Sequence, residues 1–532
     1  LDGGSNSWAI HGSRTAGGMP LLAGDPHRGL EFPNVYHQCH LRCDEFDAVG
    51  LAFAGVPALP HFGHNEHLAW CVTHGMADDT DAFVETAAAL ERVSWRAETI
   101  DVAGADPVEV RCGSTAHGPV VFGDADDGVA LSVMWTGVFE TDTTFDALAP
   151  MLRARSVGEM RDAVRPWVIP VNNLLLADRR GDIAYQMRGR LVERPPAARW
   201  TPVPADGSNS WAGRVPVPFD DLPAALNPAE GFIVTANNRT SDAGPYVSID
   251  FAGPARRDRI VELLADLDAA DVDDMAAVHA DVTSLTAPKV IAVLIEHATH
   301  CRHPAAADVL AELRDWDCRV TAESTQASVY AVVRRRWAQR VASRLAAAGP
   351  VEYPTHSRPG VLDRGHHIVV GATTLLLDGT WSVLPGLRDG KEIFHEMSDC
   401  VDGAIEELSL RLGSDRAGWH WSRLHEMASA HPLGVAGLDP PTAGVAGDGD
   451  TVRSAGVALE TGELAATGSV ARYAFDLADW DRSGWVVPHG VSGVRHSGHD
   501  LDQREAWLAV ELLPMLYSDA AVAAHTESVH RL

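Results

Sequence analysis

The spacing of apolar residues changes near Gly253, and this change restricts the possible folds more than any other feature of the chain. From residue 7 to about residue 234 the apolar runs are short and are broken by Gly, Pro, Asn and Asp, as in AVGLAFAGVP, GPVVFG and GFIVTANN, which is typical of β-strands. After Gly253, segments such as ARRDRIVELLADL and AADVLAELRDWD carry apolar residues at steps of three and four, which predicts amphipathic helices. Beyond about Pro432 the chain returns to Gly-rich, strand-like sequence. The expected class is therefore α+β, with stacked sheets flanked by helices.

The length of 532 residues exceeds one ordinary hydrophobic core, so several regions are expected. We assign residues 1–4 to the remnant of a spacer, 5–253 to a β-rich core, 254–430 to a mainly helical region and 431–532 to a C-terminal β-rich return to the core. Within the first β-rich region, LLLADRRGDIAYQ predicts a hairpin with Arg-Gly-Asp at its tip. Residues 435–454 have the composition of a loop.

The charge of the chain excludes several classes of partner. With 43 basic and 73 acidic residues the formal net charge is −30, whereas nucleic acids and anionic membrane surfaces are bound by clusters of Lys and Arg. Apolar runs stay well below the roughly eighteen residues of a membrane-spanning helix. We therefore predict neither a nucleic-acid partner nor a membrane partner. An acidic surface is compatible with cation sites built from carboxylates.

The five residues GSNSW occur twice, at residues 4–8 and 207–211. A serine hydroxyl is a weak nucleophile without a neighbouring base. If cleavage of the backbone made Ser5 the first residue, its own α-amine, with a pKa near ~8 in model compounds, would supply that base. The alternative is that GGSN forms an ordinary terminal turn, and the spacing alone does not exclude it.

Three carboxylates crowd the segment GMADDTDAF, at Asp78, Asp79 and Asp81. Carboxylates this close repel one another unless water surrounds them or a cation bridges them. One interpretation is a solvated acidic turn. The other is a Ca²⁺ site formed by Asp78, Asp81 and a backbone carbonyl between them, although the spacing differs from that of an EF-hand.

Asn237 follows an apolar strand in the segment VTANNRT. A side-chain amide at the end of a strand can donate a hydrogen bond to a developing oxyanion. The alternative is a turn with asparagine in the left-handed conformation. The motif alone leaves both interpretations open.

Taken together, these motifs resemble the β chain of the penicillin acylase family, within the N-terminal nucleophile hydrolases. The resemblance rests on GSNSWAIHGSRTAGGMPLLAGDPHRGL, FGHNEHLAWCVTHGMADDTD, DGSNSWAGRVPVPFDDLPAALNPAEGFIVTANNR and GPARRDRIVELL. Near the end, WHWSRLHEMASAHPLG, GDGDTV and GVSGVRHSGHDLDQREAW resemble three C-terminal signatures of the family. The resemblance implies a four-layer αββα sandwich of stacked antiparallel sheets with a helical insertion.

The resemblance also implies a reaction and the residues that perform it. The chain would be an amidohydrolase that cleaves the acyl amide bond of a small molecule, such as a penicillin, through a serine acyl-enzyme. Ser5 would be the nucleophile, its freed α-amine the base, and His27 would orient the nucleophile. The backbone N–H of His74 and the side-chain amide of Asn237 would form the oxyanion hole, with Arg256 bracing Asn237.

Calcium ligands and a partner chain are implied in the same way. Asp78, Thr80 through its carbonyl, Asp81 and Asp250 fall on ligand positions of the family, so one structural Ca²⁺ per heterodimer and no organic cofactor are expected. An α chain from the same precursor would complete the enzyme, and the family suggests a secreted or periplasmic location. While residues 1–4 remain attached, Ser5 has no free amine, which would make the chain a zymogen.

Substrate specificity is where the resemblance leaves the most alternatives. Phe62 would line the acyl pocket, whereas Arg28 stands where penicillin G acylases carry an aromatic residue, which argues against phenylacetyl specificity. An acylase for N-acyl homoserine lactones or lipopeptides is the alternative with the same chemistry. A calcium-stabilised binding protein that is never processed is the alternative from another class. Ser208, in the second GSNSW, lies inside the block before Asn237 and is interpreted as a loop residue.

Overall fold

The computed structural model describes residues 4–123, 130–347, 364–387, 391–435, 437–457 and 462–531. Its strands are β1 Ser5–Ile10, β2 Leu21–Gly29, β3 Tyr36–Cys43, β4 Phe46–Phe53, β5 Phe62–Asn65, β6 Leu68–His74, β7 Thr80–Glu85, β8 Arg96–Ile100, β9 Val108–Cys112, β10 Ser114–Thr115, β11 Gly118–Phe122, β12 Ala130–Trp135, β13 Asn172–Asp178, β14 Ile183–Arg188, β15 Val203–Pro204, β16 Ala224–Leu226, β17 Phe232–Thr235, β18 Glu426–Met427, β19 Ala443–Gly444, β20 Ala455–Val457, β21 Ala465–Ser469, β22 Arg472–Asp476, β23 Gly484–Val486 and β24 Leu513–Pro514. Its helices are α1 Ala87–Leu90, α2 Thr136–Phe139, α3 Leu148–Arg153, α4 Val157–Ala163, α5 Ala255–Ala265, α6 Val272–His279, α7 Ala287–His297, α8 Ala306–Arg314, α9 Thr325–Ala347, α10 Arg364–Leu377, α11 Glu392–Leu412, α12 Arg504–Ala509 and α13 Asp519–His525.

Two large sheets lie at the centre of the described structure. A ten-stranded sheet has the order β19-β18-β21-β2-β22-β23-β24, with β1 between β2 and β17, and with β20 beside β21. A seven-stranded antiparallel sheet has the order β16-β14-β13-β6-β5-β4-β3. A third, five-stranded sheet has the order β10-β11-β12-β7-β15. The chain enters it through β7, the strand that follows β6. The antiparallel pairing of β13 with β14 confirms the predicted hairpin.

Strand β1 shows how the two large sheets are stacked. Trp8 and Ile10 pack with residues of α5 and α6, whereas Ala9 belongs to the core between the sheets. Since successive side chains of a strand point to opposite faces, β1 buries both of its faces. Across the interface, β1 and β2 contact β6 and β13 of the other sheet.

Helices cover the outer face of each sheet. On the ten-stranded sheet, α5 packs against β17, and α6 packs against β2 and β22. On the seven-stranded sheet, α3 packs against β4, and α4 packs against β13 and β14. The order helix, sheet, sheet, helix confirms the predicted four-layer αββα sandwich.

The middle of the chain forms a separate helical cluster from α7 to α11. Helix α7 begins with Pro288 in its first turn and buries Val290, Ile291 and Leu294 along one stripe. These side chains share a core with residues of α9 and α11, among them Trp337. Helices α5 and α6, although within the predicted helical region, lie on the sheet instead. The predicted region boundaries themselves remain predictions.

The predicted loop at residues 435–454 contains only the short strand β19 in its described part. Its second half is buried, with Thr451 and Val452 fully covered. The Thr451 hydroxyl donates to the backbone oxygens of Asp448 and Arg453, which closes this part of the chain on itself (3.2 and 2.9 Å). Among the helices in the described ranges, none is both long enough and apolar enough to cross a lipid bilayer.

Candidate active site

Strand β1 carries Ser5 into the interface between the two large sheets. It pairs with β2 and β17, and Ser5 lies opposite Pro26. The Ser7 hydroxyl donates to the Val72 carbonyl of β6 in the facing sheet (3.4 Å). Ser5, two residues earlier in the strand, shares this inner face, and it is only 7% exposed.

The backbone and the hydroxyl of Ser5 are both held by hydrogen bonds. The Ser5 N–H donates to Asn237 Oδ1 (2.6 Å), and the Ser5 hydroxyl donates to the Gly4 carbonyl (2.5 Å). The same Gly4 oxygen accepts the backbone N–H of His27 (2.8 Å). The Gly4–Ser5 peptide bond therefore lies at the centre of a polar cluster, with its carbonyl polarised by two donors.

Arg256, in the first turn of α5, connects the start of β1 to the end of β17. Its buried guanidinium donates to the Ser5 carbonyl (3.0 Å), to Asn6 Oδ1 (2.6 Å) and to Asn237 Oδ1 (3.1 Å). Because Asn237 Oδ1 accepts from both Arg256 and the Ser5 backbone, the orientation of this amide is fixed. Its Nδ2 group is directed towards His74.

Asn237 and His74 meet at the end of β6. Asn237 has a φ of 65°, in the left-handed region that asparagine adopts more readily than most residues, and its Nδ2 donates to the His74 carbonyl (3.1 Å). The Gly75 N–H donates to the Val171 carbonyl (3.0 Å), so the alternation of an antiparallel ladder directs the His74 N–H away from β13. Both predicted oxyanion donors therefore lie on the same side of β6.

His27 lies on β2, and its ring is hydrogen-bonded to the carboxylate of Asp25, which is not among the predicted site residues. Its Nε2 lies 2.8 Å from Asp25 Oδ2, and both side chains are buried. Burial raises the pKa of Asp25, but His27, His279 and Arg472 outweigh it and hold that pKa at about 2. Burial lowers the pKa of His27, although Asp25 opposes this effect. Near neutral pH, His27 is therefore neutral, with Nε2–H donating to ionised Asp25 and Nδ1 left as the acceptor.

Asp25→Asn should destabilise the protein, because Asp25 is a buried anion close to the cations Arg256 and Arg472. Removing one partner of a buried charge cluster costs about 3–5 kcal/mol. The folded pKa lies below the ordinary value of 3.8, so this contribution is present above that pH and is lost as the pH falls towards about 2. Calorimetry near neutral pH, with exposed Asp101→Asn as the control, checks the expected fall in Tm. Equal Tm values for the two variants would contradict the prediction.

Comparison with known proteins identifies the family of the chain. A family model described as Penicillin amidase matches residues 2–524. The chain belongs to the penicillin amidase family. Members of this family are hydrolases that act on amide C–N bonds, and the predicted family is confirmed.

Two relatives and one solved structure illustrate the similarity. The chain is 37% identical over 548 residues to Penicillin acylase 2 proenzyme from Pseudomonas sp. (strain SE83), covering 100% of this chain and 69% of that protein. It is 26% identical over 467 residues to acyl-homoserine lactone acylase QuiP from Pseudomonas aeruginosa, covering 79% of this chain and 54% of that protein. The chain thus spans between about half and about two thirds of these curated relatives. A thermostable penicillin G acylase from Alcaligenes faecalis has the same fold, with a TM-score of 0.75 over 99% of both chains at 21% identity.

Phe62 occupies the space between the sheets in this penicillin amidase family member. It is buried on β5, with its ring edge-on to Tyr36 (centroids 5.3 Å apart) and tilted against Tyr473 of the facing sheet (5.2 Å). The hydroxyl of Tyr36 is un-ionised, since burial raises its pKa to about 12. These rings form an apolar cluster between the two sheets, in the interface that Ser5 also faces.

Arg28 is a charged residue of β2 on the same face of the sheet as Ser5. It lies two residues beyond Pro26, the partner of Ser5 in the strand pairing, so Arg28 and Ser5 point to the same face. Its side chain is exposed, and the guanidinium carbon lies 5.9 Å from the centre of the Phe53 ring. Throughout the described ranges, Arg28 has no carboxylate partner.

The four predicted calcium ligands do not converge on one point. Asp78 and Asp81 are both ion-paired with Arg194, which also donates to the Thr80 carbonyl (3.1 Å), whereas Asp250 is exposed. Across the described residues, no group of three or more His, Cys, Asp or Glu side chains is placed to hold a metal ion. The calcium ion remains a prediction.

Asn6 is a further polar residue of the site that the motifs do not single out. Its Nδ2 donates to Asp25 Oδ1 (3.0 Å) and to the Val452 carbonyl (2.9 Å), while its Oδ1 accepts from Arg256. In the sequence it stands within GSNSW, directly after Ser5, which turns its side chain to the opposite face of β1. Asn6 thereby joins the nucleophile strand to Val452, in the buried second half of the loop at residues 435–454.

Proposed function

We propose that this chain is the catalytic β subunit of an acylase that hydrolyses N-acyl amides of small molecules, with Ser5 as the nucleophile. One observation carries the proposal: the Ser5 backbone nitrogen donates to the Asn237 side chain, whose Nδ2 lies on the His74 carbonyl. The Ser5 nitrogen, which would be the base, and the Asn237 amide, which would hold the oxyanion, thereby both lie beside the Ser5 hydroxyl.

The proposed reaction begins once the Gly4–Ser5 bond is cut, because the Ser5 nitrogen then becomes an α-amine beside its own hydroxyl. The Ser5 Oγ attacks the acyl carbonyl carbon, and the amine takes the hydroxyl proton, directly or through one water. The His74 N–H and Asn237 Nδ2 hold the tetrahedral oxyanion. The amine then protonates the leaving amine, and water releases the carboxylic acid from the acyl-enzyme.

Cleavage of a precursor is part of the proposal. The name of the Pseudomonas relative, a proenzyme, supports a precursor that is processed into chains. We propose an α chain from the same precursor as the partner, and a secreted or periplasmic location. The Gly4 carbonyl, which accepts from the Ser5 hydroxyl and the His27 N–H, is the point at which Ser5 would attack its own chain.

Gly4→Ala should slow this cleavage. A Cβ at Gly4 would lie 2.9 Å from an Arg256 nitrogen and 2.9 Å from Asn237 Oδ1, so the cluster around the bond would have to shift. Displacements of about 1 Å at a reacting centre can cost about 10²-fold in rate, and we expect a loss of that order. The fraction of cut precursor, followed over time by intact mass, measures it. Gly207→Ala in the second GSNSW is the control, since no described atom lies within 4 Å of the added carbon, and equal rates for the two variants would refute the prediction.

The substrate class is tested with p-nitroanilides of phenylacetyl, short-chain and long-chain acyl groups. Arg28, a charged residue on the same face as Ser5, argues against a phenylacetyl group as the preferred acyl group. The similarity to an acyl-homoserine lactone acylase favours an aliphatic acyl group as the second candidate. Turnover of at least one amide by a chain whose mass begins at Ser5 is the expected result. A chain that stays uncut and inactive on every amide would favour the non-catalytic binding protein instead.

A further inference from the structure

Arg194 lies at the position where the family resemblance predicts a calcium ion. Its guanidinium contacts three of the four predicted ligands at the oxygen atoms that a cation would use. These are the carboxylates of Asp78 and Asp81, through ion pairs, and the backbone carbonyl of Thr80 at 3.1 Å. One buried side chain of this protein therefore makes the contacts expected of the ion.

Two further hydrogen bonds hold the carboxylates of this cluster. Trp211 Nε1 donates to Asp81 Oδ2 (2.7 Å), and the Tyr246 hydroxyl donates to Asp78 Oδ2 (2.9 Å). The side chains of Arg194 and Asp81 are each 1% exposed, so water screens their attraction little. A Ca²⁺ ion would need these same oxygens at about 2.3–2.6 Å, which is space that the guanidinium nitrogens occupy.

The fourth predicted ligand stands apart from this cluster. Asp250 is exposed, and its backbone N–H donates to the Ser248 hydroxyl (2.9 Å). In the described part of the chain, no contact joins its carboxylate to Asp78 or Asp81. The set that remains has two carboxylates and one carbonyl, so a Ca²⁺ ion at this point would need water molecules to complete the six to eight oxygens that it prefers.

We propose that the Arg194 guanidinium takes the place of the structural calcium ion, so that this chain holds its acidic cluster together without a metal. The ion pairs join the segment after β14 to the start of β7. They also fix Asp78, in the short segment that leaves His74, whose N–H is a proposed oxyanion donor. Arg194 is thus a positioning residue, and the stability it confers does not depend on the proposed reaction.

The first test uses the unmodified protein, purified after expression of its full-length precursor. Elemental analysis should find no stoichiometric calcium, and Tm should be the same in EDTA and in millimolar CaCl2. One calcium per molecule, together with a fall in Tm on adding EDTA, would overturn the proposal. This measurement needs no variant to fold.

The second test is Arg194→Ala, which leaves the buried carboxylate of Asp81 and the partly exposed carboxylate of Asp78 without their cation. Its Tm should fall by about 5 °C or more, and CaCl2 but not MgCl2 should raise it again as the ion occupies the vacated position. Arg190→Ala is the matched control, because Arg190 lies in the same segment and pairs with Glu140 (2.9 Å), away from the cluster. The proposal fails when Arg194→Ala is as stable as Arg190→Ala, or when calcium leaves the Tm of Arg194→Ala unchanged.

Discussion

Ser5→Ala is expected to leave a chain that is neither cut at the Gly4–Ser5 bond nor able to hydrolyse an acyl amide. Both steps need the same oxygen, the Ser5 hydroxyl that donates to the Gly4 carbonyl. Removing the serine nucleophile of a hydrolase costs on the order of 10⁶-fold in kcat. Intact mass should show the uncut precursor, and the p-nitroanilide assay should show no turnover above background.

Ser208→Ala is the matched control, because it makes the same change in the second copy of GSNSW. Ser208 is exposed, and its hydroxyl donates to Asp206 Oδ1 (2.5 Å) in a surface turn. Cleavage and turnover should both match those of the unmodified protein. Normal cleavage in Ser5→Ala, or an uncut chain in Ser208→Ala, would show that the nucleophile has been assigned to the wrong copy.

The fold class could be predicted because the apolar spacing follows the layers of the structure. The segments with short apolar runs broken by Gly and Pro form the two large sheets, and the segments with apolar residues every three or four positions form helices α5 to α11. The number of layers could not be read from the spacing. Strand β13 is buried on both faces, and such a strand has no polar side that would indicate its neighbours.

The parts of the site that had a motif could be predicted, and the parts that depend on distant partners could not. Ser5, Asn237 and Arg256 stand in recognisable blocks, and the structure brings them together. Asn6 stands in the same block as Ser5, but the block does not indicate its partner, since the Val452 carbonyl that it binds is 446 residues away.

The acidic cluster shows the same limit more sharply. Asp78, Asp79 and Asp81 are compatible with a solvated turn or with a bridging cation, and the sequence does not say whether an ion or a side chain would supply the positive charge. Arg194 lies 113 residues beyond Asp81, and an arginine before two prolines carries no spacing signal. Only the tertiary structure identifies the cation.

Asn237→Ala is expected to lower kcat by about 10²–10³-fold while the protein stays folded and processed. The Asn237 amide would bind the oxyanion more strongly than the ground-state carbonyl, and losing one such donor costs this much in other hydrolases. A φ of 65° is strained for alanine, so Asn237→Gly, which tolerates that backbone, is measured beside it. Both variants should lose similar activity, because both lack the donor.

The form of the loss separates an oxyanion donor from a residue that only shapes the turn. A contact made only in the transition state lowers kcat and kcat/KM equally and leaves KM unchanged. Asn238→Ala is the control, since among the residues that the structure describes the Asn238 side chain bonds only to the backbone of the turn, at Ala236 and Arg239. It should keep kcat within a few-fold of the unmodified protein. Because Arg256 and the Ser5 nitrogen both bind Asn237 Oδ1, intact mass must first show that each variant begins at Ser5, so that a loss of rate reflects the missing donor rather than a missing amine.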